Sequence, residues 1–406
     1  MGRVTQYRVA ALLAVAVAVL LAACAAQTAR QPVPSQLVAE ASIPGLAHAR
    51  FWGDEVPANI LTFAQAHMPN AKVMASKLSR QRGRPLVEYL AISGGAGDGA
   101  FAAGLLAGWS KKGDRPQFEV VTGVSAGALT APFAYLGPEY DGRLQQIWTK
   151  YETDDLATPQ VLAGLFGADA FADSSGLANL IAKYVDRKLL DRIAEEYRQG
   201  RVLLVATTNL DAQRPVIWNM GEIAANQHPY ALELFRQVIL ASASVPGAFP
   251  PVHIKVRAGD KVLEEMHVDG GPTRQVFVAP AQLSLKIFDR LYPRPPLRRI
   301  YIVKNGKLTP EYEAVASNTL AISARSVFTL TKSQSIGDIN RIYAMTQRDG
   351  AEFRLASIPA SFSVPSTQIF DPAYMKALFA EGYKLGREGD PWITTPPEAS
   401  ATLAAR

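Results

Sequence analysis

"GVSAG", residues 123–127, stands between the apolar run "FEVVT" (118–122) and the small-residue run "ALTAPFAYL" (128–136). The stretch reads as a strand, a sharp turn and a helix, with Ser125 at the turn. It matches G-x-S-x-G, a pattern that a chain of this length contains by chance about one time in ten. In its catalytic form the turn pushes the serine hydroxyl outward, and the flanking glycines remove clashes. Small residues after the serine let the helix approach the sheet. A hydroxyl alone does no chemistry. It needs a base and a place to hold the negative charge of a tetrahedral intermediate.

The charge site is legible thirty residues upstream, in "ISGGAGDGAFAAGLLAGW". An apolar strand, "LVEYLAI" (86–92), runs into Gly94-Gly95-Ala96-Gly97. A helix then begins near Asp98 and ends near "WSKKG". Backbone N–H groups of such a loop, aligned with a helix N-terminus, suit an oxyanion. The same residues also fit G-x-G-x-x-A, with Glu119 twenty residues beyond Gly99. A ribose-binding acid belongs at a strand end and Glu119 opens a strand, so no nucleotide cofactor is expected.

The base has several candidates. A Ser–His–Asp site would draw on His253 or His267, although His267 alternates along a strand. His228 precedes Pro229, where helix capping accounts for it. "VDGG" (268–271) places Asp269 at another strand end, either as a base or as a turn residue. No H-E-x-x-H or paired C-x-x-C spacing occurs, and no metal or other cofactor is expected.

Elements alternate along the chain. Further strands are expected at 201–210, 216–220, 263–268 and 298–306, and helical spacing runs through 174–200 and near 311–347 and 372–386. The fold class is therefore α/β, a mostly parallel sheet flanked by helices, with sites at the carboxyl ends of its strands. At 406 residues, 48% hydrophobic and net +6, the chain can bury a large core. It has no basic run with interleaved aromatics, so no nucleic-acid partner is expected.

"MGRVTQYR" carries two arginines, and "VAALLAVAVAVLLAAC" follows without charge. The apolar run is short for a membrane span and suits a signal-peptide core. It ends at Leu21-Ala22-Ala23-Cys24, and Cys24 is the only cysteine. The pattern resembles the bacterial lipobox, which implies lipid attachment at Cys24. Ala25 in place of aspartate implies the outer membrane. The expected division is a leader (1–23), a tether (24–36) and an N-terminal packing segment (37–85). A core (86–306), a C-terminal helical extension of the same domain (307–389) and a loose tail (390–406) follow.

"SGGAGDGA", "GVSAG", "ASASVPGAFPPV" (241–252) and "DGG" together resemble the patatin-like phospholipase family in order and spacing, over about 86–306. The resemblance implies a three-layer α/β architecture and a Ser–Asp dyad of Ser125 and Asp269. It also implies an oxyanion hole from Gly94, Gly95, Ala96 and Gly97, and hydrolysis of lipid acyl esters. Membrane lipids would be both substrate and anchor surface. In the family the segment matching 241–252 packs beside the site, so Ser242 and Ser244 are not expected to be catalytic. Two residues depart from the usual G-G-G-x-[KR]-G loop. Ala96 replaces a glycine, which is tolerable at negative φ. Asp98 replaces a basic residue, and is expected to point outward as a helix cap. A lipid-binding relative with little turnover is the alternative these departures leave open.

Overall fold

The computed structural model describes residues 30–46, 48–58, 60, 68–159 and 172–397. The leader, Cys24, His67 and the end of the tail lie outside them. Five strands run parallel: β2 (Arg84–Ile92), β3 (Val120–Val124), β4 (Val202–Asn209), β8 (Leu297–Lys304) and β9 (Glu352–Ser357). β1 (Arg50–Trp52) and β5 (Arg214–Asn219) extend the sheet antiparallel, giving the order β1-β5-β4-β3-β2-β8-β9. A hairpin of β6 (Val252–Ala258) and β7 (Lys261–Asp269) joins through β7, which pairs antiparallel with β4.

Alternation along β2 explains why the sheet is covered on both sides. Leu90 and Ile92 face one apolar cluster, and Val87, Tyr89 and Ala91 face another. The first cluster packs the sheet against α1 (Gly99–Lys112), α2 (Ala126–Leu136) and most of the other helices, including α7 (Ala231–Ala243) and α9 (Pro372–Glu388). The second packs it against Ile339, Ile342 and Met345 of α8 (Thr319–Asp349). The result is the expected α/β architecture in three layers. Small residues let α1 and α9 nearly touch. A Cβ on Gly104 or Gly108 would lie 2.1 or 2.0 Å from the carbonyl oxygens of Phe379 and Tyr383.

Three elements differ from the sequence reading. The stretch 174–200 is two helices, Ser175–Tyr184 and Arg187–Arg198, because Asp186 caps the second by accepting from the Leu189 N–H at 2.7 Å. "VHIKVRA" is a strand, β6, whose Ile254 and Val256 are buried while Lys255 and Arg257 face solvent. The segment read as a helical extension contributes β9 to the central sheet, since Phe353 and Leu355 fill the α8-side cluster. Among the described residues, no helix is long and apolar enough to cross a membrane.

Candidate active site

Strand register brings the two candidate catalytic residues together. β4 pairs with β3 along Val202–Ala206, and with β7 along Thr207–Asn209. Its other edge is occupied by β5 along Leu204–Asn209. β3 and β7 therefore lie in one row, approaching from opposite directions and meeting end to end. Val124 closes β3 opposite Ala206, and Asp269 closes β7 opposite Thr207. Ser125 and Asp269 are the residues at that junction. Gly270 completes it, since a Cβ there would lie 2.7 Å from the Ala206 oxygen and 2.8 Å from Val124 Cγ1.

Ser125 has φ 55°, ψ −122°, a strained backbone for a residue with a Cβ. The surroundings hold it there. A Cβ on Gly123 would meet the Gly127 oxygen at 2.4 Å, and one on Gly127 the Ile92 oxygen at 2.2 Å. The Ser125 N–H donates to Ser242 Oγ at 2.9 Å, and Ser242 Oγ donates to the Ala206 oxygen at 2.7 Å. One turn on, the Ser244 carbonyl accepts from the Asp269 N–H at 2.9 Å. The "ASAS" end of α7 thus holds both members of the pair. Sequence reasoning assigned this segment to packing, and the individual bonds have no local signature.

Asp269 is buried. Its Oδ1 accepts from the Gly271 N–H at 2.7 Å, and its Oδ2 is enclosed with no fully formed hydrogen bond. Burial raises its pKa to about 6, against the Ser125 hydroxyl and the Gly271 N–H, which lower it. A carboxylate so poised accepts a proton more readily than an ordinary aspartate.

The three candidate histidines are engaged elsewhere. His267 is buried, with Nδ1 2.9 Å from Thr207 Oγ1 and Nε2 3.0 Å from Glu265 Oε2. Glu265 is in turn paired with Arg50. The ionised Glu265 carboxylate can only accept, so the ring N–H is Nε2–H facing it. Nδ1 accepts from the Thr207 hydroxyl, which itself accepts from Trp218 Nε1 at 2.8 Å. His228 Nδ1 accepts from the Tyr230 N–H at 3.2 Å, and His253 lies 3.5 Å from Glu264. Glu119, at the amino end of β3, accepts from the Glu88 N–H, and burial raises its pKa to about 8.

The glycine loop follows β2 at the same edge as Ser125. Gly94 does not offer a free donor, because its N–H is given to the Gln275 oxygen at 3.1 Å. Its lack of a side chain matters instead. A Cβ would lie 3.1 Å from Ser125 Cβ. Among the described residues, the N–H groups of Gly95, Ala96 and Gly97 make no hydrogen bond to the protein, unlike that of Gly94. Asn305 secures the loop: its Nδ2 donates to the Ser93 oxygen at 2.8 Å and its N–H to Ser93 Oγ at 2.9 Å.

Both loop departures are resolved differently from expectation. Ala96 has φ 46°, in the left-handed region, so its methyl is carried at a cost where glycine would be free. Asp98 makes no capping bond and is partly buried rather than fully exposed. It accepts from the Tyr374 hydroxyl at 2.5 Å and lies close to Lys304. Burial raises the Asp98 pKa, and burial lowers Lys304 to about 8. Lys304, at the end of β8, is the cation whose charge acts on Asp98.

A serine on a strained strand-to-helix turn, an enclosed aspartate beside it and a nearby loop of free N–H groups constitute a candidate serine acyl hydrolase site. Residues 90–281, which contain all of these groups, match the family model described as patatin-like phospholipase. Among solved structures, similar ones include VipD from Legionella pneumophila, at 12% identity and a TM-score of 0.37, covering 76% of this chain and 68% of that one. Human GIVD cytosolic phospholipase A2 is also similar, at 12% identity and a TM-score of 0.35, covering 88% of this chain and 65% of that one. This chain thus spans about two thirds of the length of each. No curated protein matches the chain.

Proposed function

We propose that the protein is a serine lipid acyl hydrolase that cleaves carboxylic esters through Ser125 and Asp269. The end-to-end meeting of β3 and β7 carries this reading, because it puts the serine turn and an enclosed carboxylate at one point. Ser125 Oγ attacks the ester carbonyl carbon as its proton passes to Asp269. The carbonyl oxygen becomes anionic against the free N–H groups of Gly95, Ala96 and Gly97. Collapse of the tetrahedral species breaks the bond to the alcohol, which takes the proton from Asp269. Asp269 then draws a proton from water, which attacks the acyl-serine; collapse frees the fatty acid as Asp269 returns that proton to Ser125 Oγ.

The lipobox-like "LAAC" extends this reading to a lipoprotein attached through Cys24 in the bacterial envelope, at the outer membrane. Release of fatty acid from a panel of phospholipids, lysolipids and acylglycerols tests the activity. Ser125→Ala and Asp269→Asn are each expected to abolish it, because the pair acts as a unit. A folded His267→Ala or His253→Ala protein as inactive as Ser125→Ala would refute the Ser–Asp assignment. Fatty-acid labelling that persists in Cys24→Ser would refute the anchor.

A further inference from the structure

The parallel strands all deliver their following loops to one edge, the edge that holds Ser125. The loop after β8 leads into α8, and the loop after β9 spans 358–371. Twelve large apolar side chains are exposed among the described residues, and eight belong to these two segments. Six of the eight are Tyr312, Val315, Ile322, Val327, Phe328 and Leu330. Tyr312 is 96% exposed, Phe328 67% and Leu330 70%. A soluble surface normally scatters such groups singly, and a cluster marks something that covers it.

The α8 half of the cluster is ordered helix. Asn318 caps it, accepting from the Ala321 N–H at 2.9 Å. Between Thr319 and Thr331 the one charged residue is Arg325, and it folds back to Glu313 and the Glu311 carbonyl. At about 100° per residue, Ile322, Leu330, Val327 and Phe328 point in four directions around the axis. Spread around the axis among serines and threonines, these side chains form no single stripe for a shape-matched protein groove. They suit a fluid hydrocarbon that closes around them. The second half of α8 is fixed to the site: Asp338 Oδ2 accepts from the Gln275 N–H at 2.7 Å, and Gln334 Nε2 donates to the Thr273 oxygen at 2.9 Å. The described chain begins at Arg30, which pairs with Asp211 just beyond β4, again at this edge. Cys24 is six residues earlier, within about 20 Å of extended chain.

We propose that the first half of α8 and the loop before it are an arm that inserts into a lipid bilayer and lays the Ser125 edge against it. The proposal rests on the lipid acyl hydrolase reading for its choice of occupant. Because Cys24 is the only cysteine, the arm can be probed at one position. In full-length Cys24→Ser protein, a nitrobenzoxadiazole dye is attached at Phe328→Cys. A control carries it at Lys111→Cys, near the end of α1 on the opposite edge. With phosphatidylcholine–phosphatidylglycerol vesicles, the dye at 328 is expected to brighten about twofold or more while the control stays flat. Silence at 328, or an equal response at both positions, overturns the proposal.

The double variant Phe328→Ser, Leu330→Ser is expected to hydrolyse vesicle lipid about tenfold more slowly, and a soluble short-chain ester at the parent rate. An equal loss on both substrates overturns the arm. So does a parent dimer in light scattering that the serines dissociate, since a second copy then covers the patch. A parent protein inactive on both substrates refutes the hydrolase reading, while the dye still decides the arm.

Discussion

Ser242→Ala removes one hydroxyl that neither reacts nor touches substrate, and its consequences should reach the chemistry. The hydroxyl accepts from the Ser125 N–H and donates to the Ala206 oxygen in a buried setting. Deletion leaves a buried N–H without a partner, at a cost of about 1–3 kcal/mol. For a folded unit of some 350 residues, about 2 kcal/mol corresponds to a fall in Tm of about 3 °C. The larger effect is on rate. Backbone strain of this kind persists only while its surroundings enforce it, and stores about 1–3 kcal/mol. Relaxation that moves Oγ by about 1 Å costs on the order of 100-fold in kcat. Ser244→Ala is the control. Its hydroxyl donates to the Leu240 oxygen within its own helix, and Asp269 is held by its carbonyl, which alanine keeps. Thermal unfolding and kcat on a soluble ester are measured for both. If Ser242→Ala matches Ser244→Ala in both measurements, the strut does not hold the turn and the reasoning fails.

The raised pKa of Asp269 sets the acid limb of activity: kcat/KM should fall about tenfold per pH unit below about 6 and level off above it. The fold favours the protonated form, so the stability this residue contributes is full below about 3.8 and lost as pH rises through about 6. Asp269→Asn should therefore be inactive yet up to about 3 kcal/mol more stable at pH 7, and an equal or lower Tm would contradict that. Ala96→Gly should gain about 0.5–1 kcal/mol in urea unfolding, because relief of a left-handed alanine exceeds the added freedom of the unfolded chain; a loss of stability would count against the backbone argument. Asp98→Asn should cost about 2 kcal/mol at pH 7 by leaving Lys304 without its carboxylate neighbour. The deficit should shrink above about pH 8 as Lys304 loses its proton, and a pH-independent deficit would place the cost elsewhere.

The turn, the glycine loop and the strands that feed them were legible because apolar runs ending in glycine are local signals. β2, β3, β4 and β8 lie within a residue or two of their expected positions. The strand β6 was also written locally, as apolar residues alternating with His253, Lys255 and Arg257, and Asp186 marked the break between two helices. Other features had no such signal. That Asp98 turns inward depends on Tyr374 and Lys304, each more than 200 residues away. The sign of the Ala96 φ depends on how Asn305 and the end of β2 hold the loop. The row shared by β3 and β7 is a matter of register against β4, and register between distant strands leaves no mark on any one segment.

That shared row has a mechanical consequence. Nucleophile and base are mounted on one carriage: both ride on the tip of α7, through Ser242 and Ser244, and both abut β4. The free N–H groups hang from a second mounting, Asn305 and Gln275, which is tied through Asp338 to α8. One helix, α8, therefore braces both: it reaches the free N–H groups through Asp338 and Gln275, and the Asp269 end of β7 through Gln334 and Thr273. The spacing between attacking oxygen and oxyanion donors is set by how that single brace seats against β4 and α7.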